Sequence, residues 1–205
     1  MTTIVLVRHG QTEWNRVERF RGRADVPLNE TGLAQAEATG QRVAAEWRPV
    51  AVYSSPLSRA LRTAEAIAGR LGLAVQVEHG LADIDYGQWQ GLTPDEARQR
   101  WPAEVDAWYN APHLARIPGG ETLDGLRDRA MAAVRALAAR HEGQTIALVA
   151  HTVVNRVILL AVLGLHNDRF WRLRQDTCAV NVFEVAGDLF TLALLNDTCH
   201  LRDLS

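Results

Sequence analysis

Three short apolar runs in this 205-residue chain stop abruptly at side chains that can do chemistry, and helical spacing follows each of them. Thr3–Val7 is a β-branched run that stops at Arg8-His9-Gly10. Val50–Tyr53 stops at Ser54-Ser55-Pro56, with Arg59 just beyond, and Thr145–Ala150 stops at His151. Short apolar runs without polar alternation suit strands buried on both faces, as in parallel sheets. Between them, helical periodicity runs over Thr31–Trp47, Leu57 to about Leu71, Leu123 to His141, and His151 to about Leu163. Leu33, Ala36, Gly40 and Val43-Ala44 share one side of the first of these helices. Asn29-Glu30-Thr31-Gly32 supplies its capping chemistry, and Pro56 falls near the first turn of the next. Ala74–Val77 reads as a brief strand, and Ala179–Val185 and Leu189–Leu195 as strands around the turn Ala186-Gly187-Asp188. The alternation predicts an α/β fold: a three-layer sandwich with a mostly parallel central sheet and helices on both faces. Ligands in such sheets bind at the carboxyl ends of strands, so Arg8, His9, Arg59 and His151 are expected on one edge.

Length suits one domain spanning 1–205. The segment from about 80 to 120 is irregular, with Trp89, Trp101, Trp108 and four prolines, and with two short helices near Pro94–Arg100 and Ala103–Tyr109. All 22 basic residues are Arg. The lack of Lys excludes a Walker-type phosphate-binding lysine, a Schiff base and a Ser–Lys dyad. A net charge of −2 gives no basic footprint for nucleic acid or an anionic membrane. Cys178 and Cys199 form neither a disulfide framework nor a C-x-x-C motif. The start, MTTIVLVRHG, meets a charge too early for a signal peptide, and Val157–Leu165 is too short to span a bilayer. The expected location is cytoplasmic.

Two histidines and two arginines at one edge fit a dianionic phosphate, because Arg presents a planar fork of donors and a helix start adds backbone N–H groups. Nearby cations disfavour imidazolium, so a histidine among arginines stays neutral and keeps a lone pair able to attack phosphorus. The other histidines, His79, His113, His141, His166 and His200, lack metal-ligand spacing and read as surface or capping residues. His113, in a Pro-flanked loop, is a candidate for the substrate mouth, and Trp89 for a pocket wall.

Leu6-Val7-Arg8-His9-Gly10-Gln11-Thr12-Glu13-Trp14-Asn15 resembles the signature of the histidine phosphatase (phosphoglycerate-mutase-like) superfamily. Further blocks resemble it in order: Asp25-Val26-Pro27-Leu28 with Thr31-Gly32, Ser54–Ala60, Gly87–Gly91, Gly119–Thr122 and Leu148-Val149-Ala150-His151. The resemblance covers nearly the whole chain. It implies a metal-independent phosphomonoesterase with no cofactor, acting on small phosphorylated metabolites through a phosphohistidine on His9. Arg8, Arg59 and His151 would hold the phosphoryl oxygens, Asn15 would add a polar contact, and Thr152, in place of a common glycine, would offer its backbone N–H. Asp83 falls where the family usually has a glutamate proton donor, one methylene longer. Asp85 is its rival: a strand-like stretch would turn both to one side, and the motif register favours Asp83. Glu121 reads as a first-turn helix residue. The segment at about 80–120 would cover the active site. Phosphoglycerate mutase and a silent phosphate-binding module are the alternatives. Phe170-Trp171 and Asn196–Leu201 look like the metal-independent phosphoserine phosphatases, which carry histidine where this chain has Tyr86. The expected partner is a small-molecule phosphomonoester, with no nucleic acid and no membrane; a homodimer is left open.

Overall fold

Strand β1 (Thr2–Arg8) sorts its side chains between two cores, as the period of two along a strand requires. Ile4 and Leu6 pack with Tyr53, Ile146 and Leu148 on one face; Val5 and Val7 pack with Val52, Ala147 and Val149 on the other. All four β1 residues are wholly buried, each worth about 1.5–3 kcal/mol of hydrophobic stabilisation. A strand apolar on both faces can only be central, with helices above and below it.

The computed structural model describes residues 1–204 and has that arrangement. After β1 come α1 (Glu13–Arg16), α2 (Glu30–Glu46), β2 (Ala51–Ser54), α3 (Ser58–Gly69) and β3 (Val75–Val77). Then follow α4 (Pro94–Arg100), α5 (Pro102–Asn110), α6 (Leu123–Arg140), β4 (Thr145–Ala150), α7 (Thr152–Val162), β5 (Val180–Ala186) and β6 (Leu189–Asp197). The sheet order is β3-β2-β4-β1-β5-β6. The first four are mutually parallel, and β5 runs antiparallel to both of its neighbours, β1 and β6. Helices α2 and α3 cover one face with the Val5–Val149 core, and α6 and α7 cover the other with the Ile4–Leu148 core. The mostly parallel three-layer sandwich expected from the sequence is the fold observed.

Two local details differ from the periodicity. Leu33 is 40% exposed, and Gly32 and Thr39 are buried instead. The inner stripe of α2 needs small residues because the chain passes so close: a Cβ on Gly40 would meet the Ala66 carbonyl of α3. The short α1 was not expected, since one turn gives no periodicity to read. Among the described residues, no helix is long and apolar enough to cross a membrane.

Candidate active site

The carboxyl ends of β1, β4 and β2 lie side by side. Arg8 pairs in register with Ala150, so the next residues of the two strands, His9 and His151, emerge as neighbours. Their ring centroids are 5.1 Å apart. The His9 N–H donates to the Ala150 carbonyl (3.1 Å) and the Ser55 N–H to the Val149 carbonyl (3.0 Å), which locks all three loop starts to the sheet. Gly10 sits against Gly32 at the start of α2, where a Cβ on either would run into backbone. That contact explains why the Arg8-His9-Gly10 and Thr31-Gly32 blocks occur together.

His9 is fully buried. Its Nδ1 lies 2.6 Å from the Gly10 carbonyl oxygen, which can only accept, so Nδ1 carries the proton. The lone pair is then on Nε2, which is buried and has no partner. Burial, then Arg59, His151 and Arg8, hold the imidazole pKa well below 6.5, so the ring is neutral. His151 is buried and neutral for the same reasons: burial first, then Arg59, Arg21 and Arg8. Its Nε2 meets the Ser55 hydroxyl at 2.7 Å, while Nδ1 is unpartnered, 3.6 Å from Asp83 Oδ2. The Leu57 N–H approaches Ser55 Oγ at 3.4 Å, leaving the hydroxyl proton free to donate to Nε2. In that arrangement His151 keeps its proton on Nδ1, as a donor.

Arg59, from the first turn of α3, is also wholly buried. It donates to the carbonyls of Ala24 and Gly22 (both 2.8 Å) and to Asp83 Oδ2 (3.1 Å), while its Nε is unpartnered. Arg8 donates to the Gln175 carbonyl at 2.6 Å, and its Nε too is unpartnered. Gln175 is clasped amide-to-amide by Asn181 (2.8 and 2.9 Å), which steadies the acceptor that Arg8 uses. Burial raises the Asp83 carboxyl pKa, against the pull of Arg59 and Arg21 and the Ile84 N–H. The stretch from Ala82 to Tyr86 belongs to no strand, and the contacts of Asp83 and Asp85 show that the two do not share a side. Asp83 turns in to Arg59; Asp85 turns out, accepting from the Gly87 N–H (2.8 Å) and facing Arg23 (3.4 Å).

The remaining expected residues stand at the edge of this group. Asn15 Oδ1 is occupied by the Thr12 N–H and hydroxyl, both 2.9 Å, in the cap of α1; its amide NH₂ is the end left for a ligand. Thr152 opens α7 directly after His151, and its buried hydroxyl has no partner. Both line a cavity of about 400 Å³, together with Arg8, Arg21, Tyr86, Trp108, Arg156 and Trp171. Trp89 is not a wall: it is fully buried behind Phe20 and Trp108. His113 lines a separate surface cleft with His166 and Asp124.

Three contributors escaped the sequence reading, and a fourth, Ser55, was read there as a strand-end residue with no role assigned. Ser55 sets the proton of His151. Arg21 adds charge beside both histidines. Arg156 stands over the rings of Phe170 and Trp171. Arg129 on α6 donates to the Gly80 and Asp83 carbonyls and grips Glu121 at 2.7 and 2.9 Å, so Glu121 anchors the acid loop. Only the serine stood in a block that could have flagged it. Among the described residues, no group of three or more His, Cys, Asp or Glu is placed to hold a metal ion.

The assembly can bind a tetrahedral dianion between guanidiniums, with a neutral imidazole as nucleophile and a protonable carboxyl beside it. Known proteins agree with that chemistry. The chain is 35% identical over 203 residues to phosphoserine phosphatase 1 of Hydrogenobacter thermophilus, covering 99% of this chain and 96% of that one. It is 41% identical to the metal-independent phosphoserine phosphatase of Arabidopsis thaliana, over 100% of this chain and 85% of the relative. The solved structure of Bacillus stearothermophilus YhfR superposes with a TM-score of 0.93 at 35% identity, covering 98% and 100% of the two chains. The enzyme class expected from the motifs, a phosphoric monoester hydrolase, is borne out. Residues 4–198 match the model of the histidine phosphatase superfamily (branch 1), and the chain belongs to that family.

Proposed function

We propose that this enzyme hydrolyses small phosphomonoesters through a phosphohistidine on His9, without a metal ion or cofactor. The observation that carries the assignment is His9 Nε2: buried, unpartnered, on a neutral ring, and surrounded by guanidiniums. In the first step Nε2 bonds to phosphorus as the ester P–O bond breaks, and Asp83 gives its proton to the departing alkoxide. In the second, water attacks the phosphorus, the P–N bond breaks, and the Asp83 carboxylate takes the water's proton, which restores both groups. Arg8, Arg59 and His151 Nδ1–H hold the equatorial oxygens, where charge spreads in the transition state. The Thr152 N–H, at the positive end of α7, and the Asn15 amide add donors.

Arg8 and Arg59, with Arg21 beside the two histidines, supply the positive charge that a divalent ion supplies in other phosphatases. The reading treats 1–205 as one domain in the cytoplasm, with 80–120 covering the site, a homodimer left open, and neither nucleic acid nor membrane as a partner. The relatives' names make phosphoserine the first ester to assay. The test is release of inorganic phosphate from p-nitrophenyl phosphate and phosphoserine in excess EDTA. Full activity supports the reading. Loss on chelation with recovery on adding Mg²⁺ or Zn²⁺ overturns it, and conversion of a phosphoglycerate to its isomer without phosphate release would make the enzyme a mutase.

A further inference from the structure

The peptide group between Gly10 and Gln11 is held at both ends. Its carbonyl oxygen accepts the Nδ1 proton of His9 at 2.6 Å, and its N–H donates to Oε1 of Gln35 on α2 at 2.9 Å. The Gln11 N–H can only donate, so the atom that faces it is the amide oxygen of Gln35. One line of hydrogen bonds therefore runs from α2 through a single peptide to the imidazole whose Nε2 attacks phosphorus. No step above uses Gln35, which is half-buried and outside the cavity lining.

The loop has other anchors. The Gly10 N–H donates to Thr63 Oγ1 (3.2 Å), whose hydroxyl donates to the Arg59 carbonyl (2.9 Å). Asn29 ties the start of α2 to Gln11, its backbone N–H on the Gln11 carbonyl (3.1 Å) and its side-chain amide on Gln11 Oε1 (2.9 Å). Gly32 packs directly on the Gln11 backbone. Among the described residues, what Gln35 alone supplies is an acceptor at the N–H end of the peptide that His9 uses.

The two ends of a peptide share electrons, and buried hydrogen bonds in a line strengthen one another. An acceptor at the N–H end makes the Gly10 oxygen a better acceptor for the His9 proton. That fixes the tautomer and the ring's orientation and makes Nε2 more electron-rich. As Nε2 bonds to phosphorus the ring gains positive charge, and the Nδ1–H contact becomes charge-assisted. The gain is larger in the transition state than before it, which is where it raises the rate.

We propose that Gln35 is a positioning residue for the nucleophile: by accepting the Gln11 N–H it orients and polarises the peptide whose carbonyl holds His9 Nδ1–H. The inference rests on His9 as the nucleophile of the phosphomonoesterase reading above and adds the group that stands behind it.

Gln35→Leu removes the acceptor and keeps a good helix former, whereas Gln35→Glu keeps an acceptor. In Gln35→Leu, kcat/KM for p-nitrophenyl phosphate should fall roughly 10- to 100-fold, the loss that follows removal of a partner one bond behind an acting histidine. Gln35→Glu should stay within about 3-fold of wild type. Vanadate, which takes a bond from Nε2, should bind Gln35→Leu more weakly by the same factor as kcat/KM. Inorganic phosphate, which meets the arginines and His151 without a bond to His9, should inhibit within about 3-fold of wild type. In the proton NMR spectrum the His9 Nδ1–H, identified by its absence in His9→Ala, should move upfield in Gln35→Leu and downfield in Gln35→Glu, whose carboxylate is the stronger acceptor. The proposal is overturned by wild-type kcat/KM in a folded Gln35→Leu protein, or by an equal loss of phosphate and vanadate binding that Gln35→Glu does not recover, the mark of a packing residue. If Gln35→Leu fails to fold, the resonance in Gln35→Glu decides, and an unmoved signal overturns the proposal. If the wild type hydrolyses no ester, the phosphomonoesterase reading falls; the same resonance then judges the Gln35 contact by itself, a shift keeping it and an unmoved signal removing it.

Discussion

His9, Arg59 and His151 are wholly buried at the sheet edge, whereas Tyr109 and Trp171, at the other end of the cavity, are 37% and 39% exposed. The first group is set by backbone. Strand register places the two histidines, carbonyls of the chain hold His9 and Arg59, and one hydroxyl holds His151. The second group is set by side chains leaning on one another. Tyr109 stacks on Trp171 at 5.4 Å, Trp171 donates its N–H to the Trp108 carbonyl (2.7 Å), and Arg156 lies on the resulting surface. A change at the reacting end therefore disturbs the sheet edge or removes a reacting atom. A change at the wall repacks a few rings. The division predicts that variants of the first kind affect every ester alike, and that variants of the second kind alter the ratios between esters.

The largest effect belongs to His9. His9→Ala removes the buried, unpartnered Nε2 that carries the attacking lone pair, and turnover of all esters should fall by at least about 10⁴-fold. Acid quench of the wild type with labelled ester should trap an acid-labile phosphoryl group that the variant lacks. An active His9→Ala protein would break the comparison at its base.

Asp83 comes next, and it tests whether the acid belongs to the reacting end. A proton donor matters most for a poor leaving group, so Asp83→Asn should lower kcat/KM for an alkyl phosphate by roughly 10²–10⁴-fold and that for p-nitrophenyl phosphate much less. Asp85→Asn should be milder, since that carboxylate faces Arg23 and the Gly87 N–H. If the two variants exchange behaviour, the acid is Asp85.

The same division explains what could be read from the sequence. Arg8, His9 and His151 lie at or next to strand ends, and Arg59 lies five residues beyond one. Each is local to an apolar run, so a parallel sheet brings them together without further information. The sheet itself was legible because its central strands are apolar on both faces. Asp83 was placed by family register alone, since nothing in its loop has a period. Its position depends on Arg129, 46 residues away, gripping its carbonyl. Arg21 and Arg156 could not be singled out among 22 arginines, because what sets them apart is a place in the lining of the cavity, which only the three-dimensional fold gives them. Trp89 and Trp108 are indistinguishable by composition, yet one is behind the wall and the other in it.

The smallest expected effect is the dependence of the Asp83 contribution on pH, and it sharpens the assignment of both reacting groups. His9 attacks only when neutral. Its pKa lies well below 6.5, so its acid limb falls in the acidic range rather than near neutrality. Asp83 donates only when protonated. Its pKa is raised above 3.8, so the protonated form persists to higher pH than for a free carboxyl and is lost as pH rises through the raised value. For an alkyl ester, kcat/KM reports the free enzyme and the steps up to release of the alcohol, so water attack on the phosphohistidine does not enter. The ester's own ionisation near pH ~6 acts equally on wild type and variant and cancels in their ratio. The ratio of wild type to Asp83→Asn should therefore be greatest in acid and shrink as pH rises, by up to about tenfold per unit once Asp83 is mostly ionised. The His9 limb should be present in both proteins. A ratio that stays flat from acid to neutral pH would mean that the proton comes from another group, with the Nδ1–H of His151, 3.6 Å from the same carboxylate, the next to test.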